Sequence, residues 1–346
     1  MKKKLKIGWI GSGFVGQVAH LINFTNLDNT EILGLAELRP KLGKAVCQKY
    51  NIPNYYNNHK ELLKNNELDA IVAIVRRNHT APLAYEILQK GYNLFTEKPM
   101  AQTYDHGKKL VQIAKKNKCI YVIGNMRLHD QGVIIAKNYF DKFIKSKELG
   151  EIISFRTFCF AGADYCNIDG DIKTDEPSPT HKIWNTVPKW IPVKMKKNFE
   201  KFLTYFVHDI SLINFFFNQL PKVNKYIYKK NSGNISFDYK SFYGTFEYGY
   251  LNQHRWDEGM EIYFTKGHIR IKLAPAFLRN VPAEVEIYSE KDGKKIISHK
   301  SDWTWAFKRQ AEDFVNCIIK NKHSHSSGKN SLRDLKVIET SWKTLL

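Results

Sequence analysis

The chain has 346 residues, 43% of them hydrophobic and 25% charged, with a formal net charge of +20; this length suits two domains, and the composition is that of an ordinary soluble globular protein. The lysines run along the whole chain and form no concentrated basic face with interleaved aromatics, so nucleic-acid binding is not expected, although a positive field would draw an anionic substrate such as a nucleotide-linked or carboxylated sugar. The five cysteines show no Cys-x-x-Cys spacing and are odd in number, which points to reduced thiols in a cytoplasmic protein and away from a disulfide framework or zinc site.

Met1-Lys2-Lys3-Lys4 imitates the start of a signal peptide, but the apolar run after it is only a strand long and leads into Gly11-Ser12-Gly13-Phe14-Val15-Gly16. An apolar strand feeding a glycine turn and then a helix is how a parallel α/β sheet holds a dinucleotide. Gly11 would allow the tight turn, Gly13 the approach of the pyrophosphate, and Gly16 close helix–strand packing. The diphosphate would sit on the amides at the helix start, where the dipole favours negative charge. Glu31 to Glu37 reads as a second buried strand, and its terminal acid lies 24 positions beyond Gly13. That spacing suits a carboxylate gripping the adenosine ribose hydroxyls; it favours NAD, while Arg39 leaves room for NADP.

Helix patterns follow at Lys41–Tyr50, Ala81–Lys90 (stopped by Gly91) and Tyr104–Asn117, alternating with strand patterns at Asp69–Val75, Tyr92–Thr96 and Cys119–Gly124. This alternation predicts βαβ units and a parallel sheet. After residue 125 a helix is expected over Val133–Ser146 and a strand over Glu151–Phe160. A long polar stretch with Pro177, Pro179, Pro188 and Pro192 then reads as a substrate loop or a disordered insert. Phe202–Phe217 returns to helix; its most apolar part, Leu212–Phe217, is too short to cross a bilayer. Val223–Ser298 is mostly strand, with turns at Lys266-Gly267 and Asp292-Gly293, and predicts an antiparallel sheet with one solvated or subunit-contacting face. Phe307, Ala311, Phe314, Val315 and Ile318 give a late helix one apolar face.

Thr96-Glu97-Lys98-Pro99-Met100 closes the strand that starts at Tyr92. Ligands bind beyond the carboxyl ends of strands in open α/β sheets, and Pro99 biases Lys98 toward an extended conformation at such an end. Beside a positive nicotinamide ring a lysine would lose proton affinity and so suit proton transfer.

The glycine turn, Glu37, the Glu97-Lys98-Pro99 triplet and the helix after it together resemble the glucose–fructose oxidoreductase / inositol dehydrogenase / rhizopine catabolism (Gfo/Idh/MocA) family. Gly124-Asn125-Met126-Arg127, Glu148 to Ile152, and the segments Phe307–Phe314 and Ser327–Leu335 extend the resemblance to nearly the whole chain except residues 161–200. It implies an α/β Rossmann domain with a doubly wound parallel sheet over 1–125. Over 126–346 it implies an α+β domain for substrate binding and oligomerisation, with a large, mostly antiparallel open sheet that often mediates dimers or tetramers. It implies cofactor contacts from Gly11, Ser12, Gly13, Phe14, Val15, Gly16, Glu37, Arg39, His79, Glu97, Lys98 and Asn125, with NAD or NADP as cofactor and no metal.

The resemblance also implies a catalytic helix carrying Asp-x-x-x-His, which here reads Thr204-Tyr205-Phe206-Val207-His208-Asp209. Positions 204 and 208 share a helical face, so His208 is the candidate proton shuttle beside Lys98. Thr204 stands where the family has an acid; its hydroxyl can hydrogen-bond a sugar or the imidazole but supplies no charge. Arg76-Arg77 replaces the family's usual turn ahead of His79 and would contact a phosphate or acid, or remain solvated. His181, Trp184, Lys189 and Lys194 lie in the loop that varies with substrate, and His323 and His325 read as surface residues, not metal ligands.

The expected activity is hydride transfer between nicotinamide and a sugar, sugar derivative or cyclitol. The alternatives are an NAD-dependent glycosidase with transient oxidation, revealed by a non-redox product, and a non-catalytic dinucleotide-binding protein.

Overall fold

The structure, a computed structural model, describes residues 4–346 except 66, 163–167, 178, 180–182, 253–254 and 292. His181, Cys166 and Asp292 therefore lie outside the described residues. Contacts divide the chain into two compact units, the first made of Met1–Asn125, Ile168–Thr204 and Gln310–Leu332 and the second of Met126–Asn167, Tyr205–Arg309 and Arg333–Leu346.

The first unit is built on β1 (Leu5–Ile10), β2 (Thr30–Ala36), β3 (Tyr55–Tyr56), β4 (Ala70–Ala73), β5 (Asn93–Thr96) and β6 (Tyr121–Ile123). They form one sheet in the order β3-β2-β1-β4-β5-β6, and every pairing is parallel. β1 and β4 are apolar along nearly their whole length because both faces of a parallel sheet are covered. The register aligns Ala36, Ile10, Ala73, Thr96 and Ile123 in one row across the sheet. The residues that follow that row are Glu37, Gly11, Ile74, Glu97 and Gly124, so the carboxyl edge itself gathers the candidate site.

A π-helical turn over Gly16–Leu21 precedes α1 (Ile22–Thr25). α2 (Pro40–Tyr50) starts with Pro40 at its first position and stops at Asn51 in the left-handed conformation. α3 (His59–Leu62) is a single turn. α4 (Arg77–Gln89) begins four residues before the expected Ala81. Arg77 to Thr80 are polar and show no apolar period; tertiary hydrogen bonds fix that turn, with Gln102 Nε2 donating to the Arg77 carbonyl at 2.9 Å. α5 (Tyr104–Lys116) is capped by Thr103, whose Oγ1 accepts from His106 N at 3.1 Å.

In the second unit α6 (Gln131–Ser146) precedes β7 (Ile152–Ala161), and α7 (Lys196–Phe217) opens six residues before the expected Phe202. Its last thirteen residues belong to this unit, with the strands β8 (Lys222–Lys229), β9 (Ser232–Asp238), β10 (Tyr243–Tyr250), β11 (Asp257–Phe264), β12 (Gly267–Leu273), β13 (Glu284–Ser289) and β14 (Lys295–His299). The sheet order is β14-β13-β12-β11-β7-β10-β9-β8, antiparallel throughout except for β7 against β10. One face buries Phe155, Phe246, Tyr248, Met260, Ile262 and Ile271. Phe140 of α6 and Phe206 and Phe217 of α7 pack among the rings of that layer. The opposite face carries the Arg156–Glu247 and Arg270–Glu286 ion pairs together with exposed Ile227, Tyr243 and Ile296.

α8 (Ala306–Lys320) and α9 (Gly328–Leu345) close the chain. Phe314 of α8 returns to the first unit, where its ring meets Phe24 and Phe95 edge-on. Among the described residues no helix is long and apolar enough to cross a membrane.

Candidate functional site

At the switch point between β1 and β4 the backbone itself demands Gly11 and crowds Gly16. Gly11 has φ +87°, and a Cβ there would stand 2.3 Å from the Ile74 carbonyl oxygen. A Cβ on Gly16 would stand 3.2 Å from the Gly11 oxygen. A Cβ on Gly13 would meet nothing within 4 Å, so the backbone at that point is open to a ligand. Gln17 N closes the turn by donating to the Gly13 carbonyl at 3.0 Å.

Glu37, directly after β2, is buried and fully engaged. Its Oε2 accepts from Ser12 N and Ser12 Oγ, both at 2.9 Å, and from Arg39 Nη2 at 3.0 Å; its Oε1 accepts from Arg39 Nε at 2.9 Å. Burial alone would raise this carboxyl, but the Arg39 guanidinium and the Ser12 donors outweigh it and hold the group below its usual range. The expected ribose ligand is thus an ionised acid lying against the glycine turn.

Glu97 and Lys98 follow β5. Glu97 Oε1 lies 2.7 Å from His20 Nε2, and Oε2 accepts from Lys98 N at 3.0 Å. A Cβ on Gly124 would stand 2.9 Å from Glu97 Oε1, so a side chain there would push the carboxylate from its place. Lys98 Nζ donates to the Thr204 carbonyl of α7 at 2.9 Å. The Lys98–Pro99 peptide is cis. Asn125, buried at the same edge, gives its Nδ2 to Ser331 Oγ at 3.0 Å and has no hydrogen-bond partner at Oδ1 among the described residues. The open space over Gly13 and this unpartnered acceptor both fit a dinucleotide laid along the edge.

Thr204 meets Lys98 through its carbonyl. Its hydroxyl donates to the Glu200 carbonyl at 2.6 Å, which also accepts from Arg77 Nη1 at 2.8 Å. Arg77 therefore anchors the first turns of α7, while Arg76 is exposed at the start of α4. His79 is half-buried in the first turn of α4. His208 is half-buried one turn beyond Thr204 and belongs to the second unit. Asp209 beside it is buried, and its charge joins burial in pushing the Cys159 thiol well up.

In the loop, Trp184 packs on His106 at 4.8 Å and on Tyr85 at 5.8 Å, and Lys189 and Lys194 are exposed. His323 and His325 are exposed, and no group of metal-ligating side chains occurs among the described residues. The sequence reading passed over His20, Gln17 and Glu176. A signal for the first existed in its place four residues after Gly16, one turn along the helix.

A glycine turn at a parallel-sheet switch point, an acid after the second strand and a lysine after β5 define a nicotinamide-dinucleotide-binding Rossmann protein. Residues 5–125 match the model of the Gfo/Idh/MocA oxidoreductase family, NAD-binding Rossmann fold.

The chain is 27% identical over 150 residues to inositol 2-dehydrogenase of Salmonella typhimurium, a stretch covering 42% of this chain and 43% of that enzyme. Over its whole length it shares the fold of solved oxidoreductases. A 3-ketoreductase from Actinomadura kijaniata, solved with NADP and TDP-benzene, superposes with a TM-score of 0.75 at 15% identity, covering 99% of this chain and 98% of that one. Aldose-aldose oxidoreductase from Caulobacter crescentus gives a TM-score of 0.76 at 16% identity, covering 99% and 97%.

Proposed function

We propose that the chain is an NAD(P)-dependent oxidoreductase that interconverts a hydroxyl and a carbonyl on a sugar, a sugar derivative or a cyclitol. The observation that carries this reading is the placement of Lys98. Its ammonium leaves the carboxyl edge shared by Gly11 and Glu37 and reaches a main-chain carbonyl on α7, a neutral acceptor that a substrate oxygen can replace.

The bound nicotinamide supplies or accepts the hydride. In the reducing direction Lys98 hydrogen-bonds the carbonyl oxygen and stabilises charge as it develops there, and His208 donates the proton; oxidation reverses these roles. Gly11, Ser12, Gly13, Phe14, Val15 and Gly16 would hold the diphosphate and Glu37 and Arg39 the adenosine ribose, and His79, Glu97 and Asn125 would add further cofactor contacts. The net charge of +20 supports an anionic sugar as substrate. Free Cys47, Cys119, Cys159 and Cys317 suit a reducing cytoplasm. The uncovered sheet face with Ile227, Tyr243 and Ile296 suits a homodimer or homotetramer.

Turnover on a panel of sugars, cyclitols and nucleotide sugars tests the reading. Lys98→Ala should lower kcat by about 10²–10⁴-fold and leave NADH affinity nearly unchanged. Full turnover by that variant would overturn the assignment.

A further inference from the structure

The segment Ile168–Thr204 belongs to the first unit, and its stretch 170–176 runs along α2 beside the glycine turn. Lys49, in the last turn of α2, donates to the Gly170 carbonyl. Gln17 and Ile172 exchange two hydrogen bonds: Gln17 Nε2 donates to the Ile172 carbonyl at 3.0 Å, and Ile172 N donates to Gln17 Oε1 at 2.8 Å. The same Nε2 reaches the Ser12 carbonyl at 2.8 Å, so the strap is tied to the nucleotide turn itself. At its far end Glu176 sets both carboxylate oxygens on the first turn of α2. Oε1 accepts from Lys41 N and Oε2 from Leu42 N, each at 2.9 Å, and Thr174 Oγ1 adds a third donor at 2.9 Å.

That helix start follows directly on Glu37 and Arg39. Its open amides and dipole, with a guanidinium alongside, are what a phosphate on the adenosine ribose would seek. Here carboxylates occupy both features: Glu37 holds Arg39, and Glu176 holds the amides. Arg39 responds to the two acids together, its guanidinium being raised first by the Glu37 hydrogen bond, against burial, and also by the Glu176 charge.

We propose that Glu176 is a specificity-determining residue: from the crossing strap it denies the α2 amides to a 2′-phosphate and, with Glu37, selects NAD over NADP. This rests on the dinucleotide reading above. Sequence motifs at the end of β2 do not include it, because it lies 139 positions beyond Glu37 in the chain.

Equilibrium binding of NADH and NADPH to the full-length chain, read by fluorescence or calorimetry, is the test. Wild type should favour NADH. Glu176→Gln should tighten NADPH by about tenfold, roughly 1.4 kcal/mol, while NADH changes less than about twofold. Asp175→Asn removes an equal charge from the exposed neighbour that pairs with Lys41 and should move neither affinity. Glu176→Asn, a shorter neutral residue, serves if the glutamine variant folds poorly.

The proposal is overturned if wild type prefers NADPH or if neutralising Glu176 leaves NADPH affinity unchanged. It is equally overturned if both dinucleotides weaken together, or if Asp175→Asn acts as Glu176→Gln does. Wild type binding neither dinucleotide would overturn the underlying reading as well, which separates the two failures.

Discussion

His20 Nε2 sits 2.7 Å from Glu97 Oε1, joining the helix behind the glycine turn to the residue that precedes Lys98. The imidazole is wholly buried, and a carboxylate only accepts, so Nε2 carries the proton and donates. The other Glu97 oxygen takes the Lys98 amide, so the expected part of His20 is to position Lys98 through Glu97.

His20→Leu leaves Glu97 Oε1 without its donor and should cost about 1–3 kcal/mol in urea unfolding. Turnover should fall at least about tenfold, 1.4 kcal/mol in barrier, with a smaller change in NADH affinity. His20→Gln, which restores an N–H donor, should recover part of both losses. A leucine variant as stable and active as wild type would show that the pair positions nothing.

Asp334 makes stability depend on pH. Burial pushes its carboxyl up to about 7, against the hydrogen bonds from Ser211 Oγ and Asn214 Nδ2. The unfolded value is about 3.9, so between those two values the folded state keeps a proton that the unfolded chain has released. Stability should therefore fall as pH rises through that window and level off above it, by an order of about 4 kcal/mol in all. Asp334→Asn should remove this slope and be at least as stable as wild type at pH 8. Urea unfolding at pH 5 and pH 8 reads both effects; equal slopes for variant and wild type would place the titration elsewhere.

The nucleotide module was legible because its chemistry is local. Apolar runs at Leu5–Ile10 and Ala70–Ala73, glycines at fixed spacing after β1 and an acid after β2 all belong to short stretches of one parallel sheet and its carboxyl edge. The position of Lys98 just beyond β5 was legible for the same reason, being set by its own strand and the proline after it. The start of α4 was hidden because Arg77 is held by the Glu200 carbonyl, 123 positions away, and not by an apolar period. The pairing of Gln17 with Ile172 spans 155 positions, and nothing in a polar, proline-bearing stretch announces which residue will meet the glycine turn. The surroundings of Thr204 were half visible. Helical spacing put 204 and 208 on one face, but only the fold gives the hydroxyl to Glu200 and the carbonyl to Lys98.

That division of Thr204 predicts which of its atoms matters. Thr204→Val keeps the shape and the main-chain carbonyl and loses only the hydroxyl bond back to Glu200. A serine- or threonine-type back-bond of this kind contributes little to a helix, so stability should change by less than about 1 kcal/mol. If Lys98 is aligned by the carbonyl, kcat should stay within about threefold of wild type, whereas His208→Gln should lose about 10²-fold or more. Steady-state kinetics on one accepted substrate separates the cases. A valine variant as impaired as the glutamine variant would mean that the Thr204 hydroxyl itself touches the substrate or the imidazole, as its helical spacing from His208 allows.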